Sequence, residues 1–275
     1  MKSRPSIVLG IIAILVSALV FLVPFAFIIL TAFKNKQQAT LLDFSWPDGF
    51  HLWSNIVEVV TTRNWMLLTA FINSTILTVA SVTLLVIFAA MVGFVLARRK
   101  TRWNGLVEFL ILAGLMIPPA VVPTIWLLQG VGLFGKLHGL VLIEVAYGLP
   151  FSIILYRAFI ATIPRELDEA AIIDGARPFD VFFRIILPLL WPVTVTNIVV
   201  QSVGVFNDFT NPLYYLPGNA NATVQLTLYN FQSQFNTSYN LLFTNILLIT
   251  IPPLLVFLFF NRHIVAGMTA GAVKG

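Results

Sequence analysis

The sequence predicts an all-α membrane protein: six transmembrane helices, with a cytoplasmic helix pair between spans four and five. Three observations carry this reading. The 275 residues are 59% hydrophobic and 10% charged, where a soluble globular chain carries about 25% charged residues. Six runs are long and apolar enough for a spanning helix, which needs about 20 residues. The basic residues also gather on one side of the alternation that these runs impose.

The runs fall at about 7–33, 66–97, 106–128, 140–160, 189–206 and 241–261. With 24 Phe and a mean hydropathy of +0.94, they fill most of the chain, so residues 1–275 read as one integral membrane domain. The first run exceeds a signal-peptide hydrophobic region and has no clear small-residue cleavage site after it, so it reads as a retained span. The loop after it carries a turn signal, Ser45-Trp46-Pro47-Asp48-Gly49, in which Pro presets one dihedral and Gly accepts a positive one. Pro118, Pro119 and Pro123 interrupt span three, and Pro150 interrupts span four. Each frees backbone groups that must be satisfied again, in kinks that line a solute route or in kinks held by packing alone.

Cytoplasmic loops carry an excess of Lys and Arg. With the N-terminus inside, Lys2, Arg4, Arg98, Arg99, Lys100, Arg102, Arg157, Arg165, Arg177, Arg184, Arg262 and Lys274 lie inside. Lys34, Lys36, Arg63 and Lys136 lie outside, a 12 to 4 division of all 16. Both termini are then cytoplasmic. The net charge of +5 follows from topology and calls for no nucleic-acid partner.

Several chemistries drop out. There is no Cys, which excludes disulfides, thiolate zinc sites and cysteine nucleophiles. His51, His138 and His263 are isolated, with no metal-ligand spacing. No nucleophile–His–acid set stands out, so no catalytic residue is assigned. Gly130 to Lys136 nearly matches a phosphate-cradling loop, but Leu137 stands where a hydroxyl is needed, and the segment lies in a short outer turn. The chain therefore has no ATP site of its own.

The segment 163–188 is the most informative. Pro164 suits a first helical position, and Glu166, Asp168 and Glu169 fall in the early turns, where the helix dipole favours anions. Leu167, Ala170, Ala171 and Asp174 share a face of small residues that another backbone can approach. Gly175 suits the left-handed stop of that helix. A second helix begins at Pro178, with Phe179, Phe182, Phe183 and Ile186 as its apolar stripe, and Pro188 breaks or kinks the chain before span five. The physics alone leaves open a surface helix pair that merely joins two spans.

The spacing Glu169-Ala170-Ala171, three residues, Gly175, nine residues, then Ile185-x-Leu187-Pro188 resembles the EAA signature of ABC importer permeases. The C-terminal Gly267-Met268-Thr269-Ala270-Gly271-Ala272-Val273-Lys274-Gly275 resembles the end of maltose-type sugar permeases. Phe33-Lys34, Asn73-Ser74 and Asn207-Asp208-Phe209-Thr210-Asn211-Pro212-Leu213 are similar to that group as well, except that Phe206 stands where Trp is common. The resemblance implies the type I ABC importer permease architecture in a bacterial or archaeal plasma membrane. It implies a second permease subunit, two ABC ATPase subunits that use ATP and Mg, and an external solute-binding protein, with no cofactor on this chain. It assigns Glu169, Ala170, Ala171, Asp174, Gly175, Arg177 and Pro188 to ATPase coupling. It sends the tail, Thr269, Ala270, Gly271, Ala272, Val273 and Lys274, between the ATPase subunits.

Intramembrane polar residues usually face the bundle interior. Asn73, Ser74, Glu144, Tyr147 and Gln201, with Asn207, Asp208 and Asn211 near the outer edge, are candidates for a carbohydrate pathway; Asn, Ser and Gln also glue helices together. Two broader alternatives stay open: an ABC permease for another solute, such as an amino acid, phosphate ester or polyol, and a self-contained secondary transporter.

Overall fold

The computed structural model describes residues 4–232 and 237–272, with side chains for 9–232 and 237–260. All regular structure among these residues is helical. In chain order the helices are α1 (Arg4–Phe33), α2 (Lys36–Ala39), α3 (Leu52–Arg98), α4 (Asn104–Met116), α5 (Val121–Gly130) and α6 (Leu137–Ile160). Next come α7 (Glu166–Ile173), α8 (Pro178–Asp180), a π-helical turn (Val181–Ile186), α9 (Leu187–Leu189), α10 (Trp191–Asn207) and α11 (Thr210–Tyr215). A 3₁₀ segment (Val224–Asn230) and α12 (Tyr239–Ala272) complete the series.

Four described helices are long and apolar enough to cross a membrane, and two bent pairs bring the number to six. One pair is α4 with α5, bent by 115° across residues 117–120, where Pro118 and Pro119 stand. The other joins Pro178–Leu189 to α10 at 73°, so the kink falls just after Pro188. Pro150 does not interrupt its helix, contrary to the sequence reading: α6 runs unbroken through it. The backbone of α3 leaves helical angles at Thr62–Trp65, with Arg63, Asn64 and Trp65 all at positive φ. The expected start of span two, at Met66, is where the helix resumes.

The chain forms two compact units. The first comprises Met1–Ala70 and Val224–Ile251. Here Lys34 is fully buried at the end of α1 and donates to Asp43 Oδ1 at 2.7 Å and to the Asp43 carbonyl at 2.8 Å. Asn55 Nδ2 donates to the carbonyls of Ala32 and Lys34, and Asn240 Nδ2 donates to Asn55 Oδ1 at 2.9 Å. This polar knot replaces the carbonyl partners that α1 lacks at its C-terminus.

The second unit comprises Phe71–Thr223 and Pro252–Gly275. Its helices approach closely through glycine. A Cβ at Gly93 would sit 2.9 Å from Tyr156 Cβ and 3.1 Å from the Arg157 nitrogen, so α3 and α6 touch nearly backbone to backbone. One apolar cluster joins Ala89, Ala90 and Leu96 of α3 to Tyr156 and Ile160 of α6, and to Ala171, Phe182 and Ile186 of the 163–188 segment. That segment is therefore packed into the unit as well as linked to it by chain.

Candidate functional site

The loop between α6 and α10 folds as helix, sharp turn, helix. Helix α7 starts at Glu166, two residues beyond the expected Pro164, because the Arg165 carbonyl takes the first intrahelical bonds, from the amides of Asp168 and Glu169. Glu166, Asp168 and Glu169 occupy its first turn, in the favourable sense of the dipole. The stop is a paired closure: Ala176 N–H donates to the Ala171 carbonyl at 2.9 Å and Gly175 N–H to that of Ile172 at 3.0 Å. Gly175 has φ +85°, which only glycine adopts without strain. Pro178 then opens α8, and the Arg177 amide donates to Asp180 Oδ2 at 3.4 Å.

The aromatic stripe is split, which corrects the sequence reading. Phe182 and Ile186 are buried, whereas Phe179 and Phe183 are 69% and 48% exposed. Within the π-turn, whose i→i+5 spacing is wider than an α-helix, Val181, Phe182 and Ile186 face the cluster while Phe183 and Arg184 face outward. On α7 the small face divides too. Ala171 is buried in the unit, while Leu167, Glu169, Ala170, Asp174, Gly175 and Arg177 are exposed, as is Pro188 farther on. Beside them Ile172 and Ile173 are 62% and 85% exposed. Two helices thus present an apolar, acid-flanked surface anchored from behind.

The anchor is a cross-tie that sequence reasoning missed. Arg98, the last residue of α3, places Nε 2.6 Å from Asp168 Oδ2 and donates from Nη2 to the Ile163 carbonyl at 3.0 Å. Arg165 reaches back and donates to the Ala97 carbonyl at 3.1 Å. The Arg98–Asp168 contact is an ion pair rather than an aligned hydrogen bond at Nε, and Asp168 Oδ1 is buried with no hydrogen-bond partner among the described residues. In the sequence these arginines were indistinguishable from the other inside charges.

A second feature lies near the other end of the same unit, a cavity of about 570 Å³. It gathers five of the eight pathway candidates: Glu144, Tyr147, Gln201, Asp208 and Asn211, beside Phe151 and Pro119. Glu144 is 7% exposed and accepts from Asn211 Nδ2 at 3.2 Å. Asp208 Oδ1 accepts from the amides of Thr210 and Asn211, capping α11, and Tyr147 meets Tyr215 hydroxyl to hydroxyl at 3.4 Å. Asn73, Ser74 and Asn207 are not among its lining residues. Asn73 donates instead to the Ala222 carbonyl at 3.0 Å.

A polar ladder between α6 and α10 backs the cavity. Gln201 Nε2 donates to Ser152 Oγ, Ser152 Oγ to Asn197 Oδ1, and Tyr156 to Thr194, each at 3.0 Å. Ser152, Tyr156, Thr194 and Asn197 were not singled out from the sequence, though positions 148, 152 and 156 share one helical face, a signal that was available. Of the tail, Val273 and Lys274 lie outside the described residues. The backbone of Thr269, Ala270, Gly271 and Ala272 is helical, and their side chains lie outside the described set.

The profile of the binding-protein-dependent transport system inner membrane component matches residues 89–270, from the end of α3 through the loop and cavity into α12. The chain is 32% identical over 257 residues to the melibiose/raffinose/stachyose import permease protein MelC of Bacillus subtilis, covering 92% of this chain and 91% of that one. It is 30% identical over 265 residues to the probable starch degradation products transport system permease protein AmyC of Thermoanaerobacterium thermosulfurigenes, covering 94% of each. A chain of a bacterial ABC transporter that imports the acidic polysaccharide alginate shares the fold, with TM-score 0.83 at 21% identity over 95% of this chain and 98% of that one. With over half of its length under the family profile, and relatives matched nearly end to end, the chain belongs to the multi-pass inner membrane components of binding-protein-dependent transport systems.

Proposed function

We propose that the chain, as a single permease domain, is the membrane-spanning subunit of an ATP-driven importer for a di- or oligosaccharide. A separate pair of ABC ATPase subunits binds ATP and Mg, a second permease completes the pathway, and an external binding protein delivers the solute. Both termini face the cytoplasm. The chain itself does no chemistry; it passes movement of the ATPases to its spans.

One observation carries the reading: the exposed α7–Gly175–α8 surface is tied to the cytoplasmic end of α3 by Arg98 and Arg165. A partner pressing on Glu169, Ala170 and Asp174 would move a span directly. The carbohydrate class is supported by relatives named for melibiose, raffinose and stachyose and for starch degradation products. The cavity's amide, carboxyl and aromatic groups are the kinds that bind sugars, with Glu144, Tyr147, Gln201, Asp208 and Asn211 as the contacts.

The test is purification of the tagged chain from its own membrane in mild detergent, followed by reconstitution with the co-purified proteins. An ATPase and a second permease at comparable amounts, and sugar uptake that requires ATP, are expected. A chain that purifies alone and still moves solute in liposomes without ATP is a secondary carrier, and the proposal fails.

A further inference from the structure

A second groove in the Phe71–Thr223 unit plays no part in the reading above. It runs between the cytoplasmic end of α3 and the start of α4, with a volume of about 420 Å³. Its walls are apolar: Met91, Val92, Val95, Leu96 and Val107. Thr101, Trp103 and Asn104 line its end, in and after the turn Arg99-Lys100-Thr101-Arg102-Trp103, so Lys100 and Arg102 flank a lining residue in sequence.

That turn is held in shape. Asn104 Oδ1 accepts from the Thr101 amide at 3.2 Å, and its Nδ2 donates to the Arg99 carbonyl at 2.7 Å. The Arg102 guanidinium lies 5.2 Å from the centre of the Trp103 ring, and Trp103 is 57% exposed. The nearby charges are disposed one way. Arg98 is engaged with Asp168, and Glu108, the acid on α4, is engaged with Arg157. Lys100 and Arg102 are exposed and make no ion pair among the described residues. The first turn of α4 carries no acid.

We propose that this groove holds one anionic phospholipid, an acyl chain in the apolar trough and the phosphodiester headgroup on Lys100 and Arg102. The trough ends where two spans end, at the boundary between hydrocarbon and headgroups, so lipid is the apolar species that meets it. Trp at that depth is an interfacial anchor. Basic groups at the cytoplasmic ends of spans attract anionic headgroups. A zwitterionic lipid would fill the trough but leave the basic rim uncompensated. The lipid would lie beside Arg98 and brace the end of α3 that carries the cross-tie. Headgroup charge would therefore tune coupling.

The experiment uses the complete importer in nanodiscs of equal phosphatidylcholine and phosphatidylglycerol. Lipids kept through detergent exchange are counted by native mass spectrometry. The two basic contacts should enrich phosphatidylglycerol roughly tenfold or more over phosphatidylcholine. Joint Lys100→Gln and Arg102→Gln substitution should abolish the enrichment. Val95→Trp, which fills the trough and keeps the charges, should lower retention of both lipids at intact subunit stoichiometry. Equal retention in the unsubstituted importer, or an enrichment that survives Lys100→Gln/Arg102→Gln, overturns the proposal. Displacement of the lipid by millimolar inorganic phosphate would also overturn it, by marking a small-anion site.

Discussion

An aspartate near the end of a span meets a buried ammonium, and its acidity records the fact. Lys34 donates to Asp43, with help from the Ser45 hydroxyl, and this holds the Asp43 carboxyl at about 2, below its ordinary 3.8. A carboxyl lowered on folding contributes stability above its unfolded value and loses it as pH falls towards the folded one. Thermal melts of the unsubstituted protein and Asp43→Asn should therefore differ by a constant amount at neutral pH. The gap should close as pH drops from about 4 to about 2; a gap independent of pH would refute the assignment. Gly175 is the second residue whose effect can be stated in advance. A Cβ there meets nothing within 4 Å, yet φ is +85°, and a left-handed non-glycine costs about 1–2 kcal/mol. Gly175→Val should leave assembly intact and depress uptake together with substrate-stimulated ATPase activity. If both survive unchanged, the turn has no part in coupling. The Gly175 stop was legible because backbone chirality alone selects glycine. The outward turn of Phe183 beside buried Phe182 was not, since a π-turn changes the period without changing composition.

At the scale of elements, six apolar runs emerged as four long helices, one of them α3 with its irregular turn at Thr62–Trp65, and two bent pairs. Apolar length is a strong signal, and the Pro118-Pro119 pair announced the bend between α4 and α5. Pro150 announced a break that packing overrides: a Cβ at Gly114 would lie 2.8 Å from Pro150 Cγ, so the ring is seated against the α4 backbone within α6. Gly93 makes the companion contact from α3, and Gly93→Leu should lower the melting temperature of the detergent-purified protein by overpacking. An unchanged melting temperature would mean that the two helices separate freely. The cross-tie yields a functional prediction. Arg98→Ala leaves Asp168 without its cation, at a cost of about 3 kcal/mol, the low end for a broken buried pair. Uptake per ATP hydrolysed should fall at least roughly tenfold while ATPase subunits still co-purify. Exchanging the charges, Arg98→Asp with Asp168→Arg, should restore part of it. Full coupling in Arg98→Ala would remove the tie from the mechanism. Nothing in the sequence paired Arg98 with Asp168, which lie 70 positions apart and meet only after α6 turns back.

For the whole molecule, charge distribution predicts the orientation, and the absence of Cys makes it directly measurable. A membrane-impermeant maleimide added to intact cells should label Asn219→Cys and spare Thr101→Cys, both positions being exposed. The reverse pattern would invert the topology and place α7 outside, where no ATPase could reach it. The cavity was only half legible: the sequence named its polar residues but could not say which would converge. Five do, because α6, α10 and α11 turn them toward one space, while Asn73 is drawn off to the Ala222 carbonyl.

Arg98 and Arg165 both grip main-chain oxygens, at Ile163 and Ala97. Every amino acid carries that oxygen, so the two bonds themselves specify no side chain; what holds Ala97 and Ile163 to apolar residues is their packing against the cluster of Tyr156, Ile160 and Ala171. Exchange for another apolar residue at 97 or 163 therefore keeps both bonds, whereas loss of Arg98 or Arg165 removes the donor itself and no neighbour's backbone can replace it.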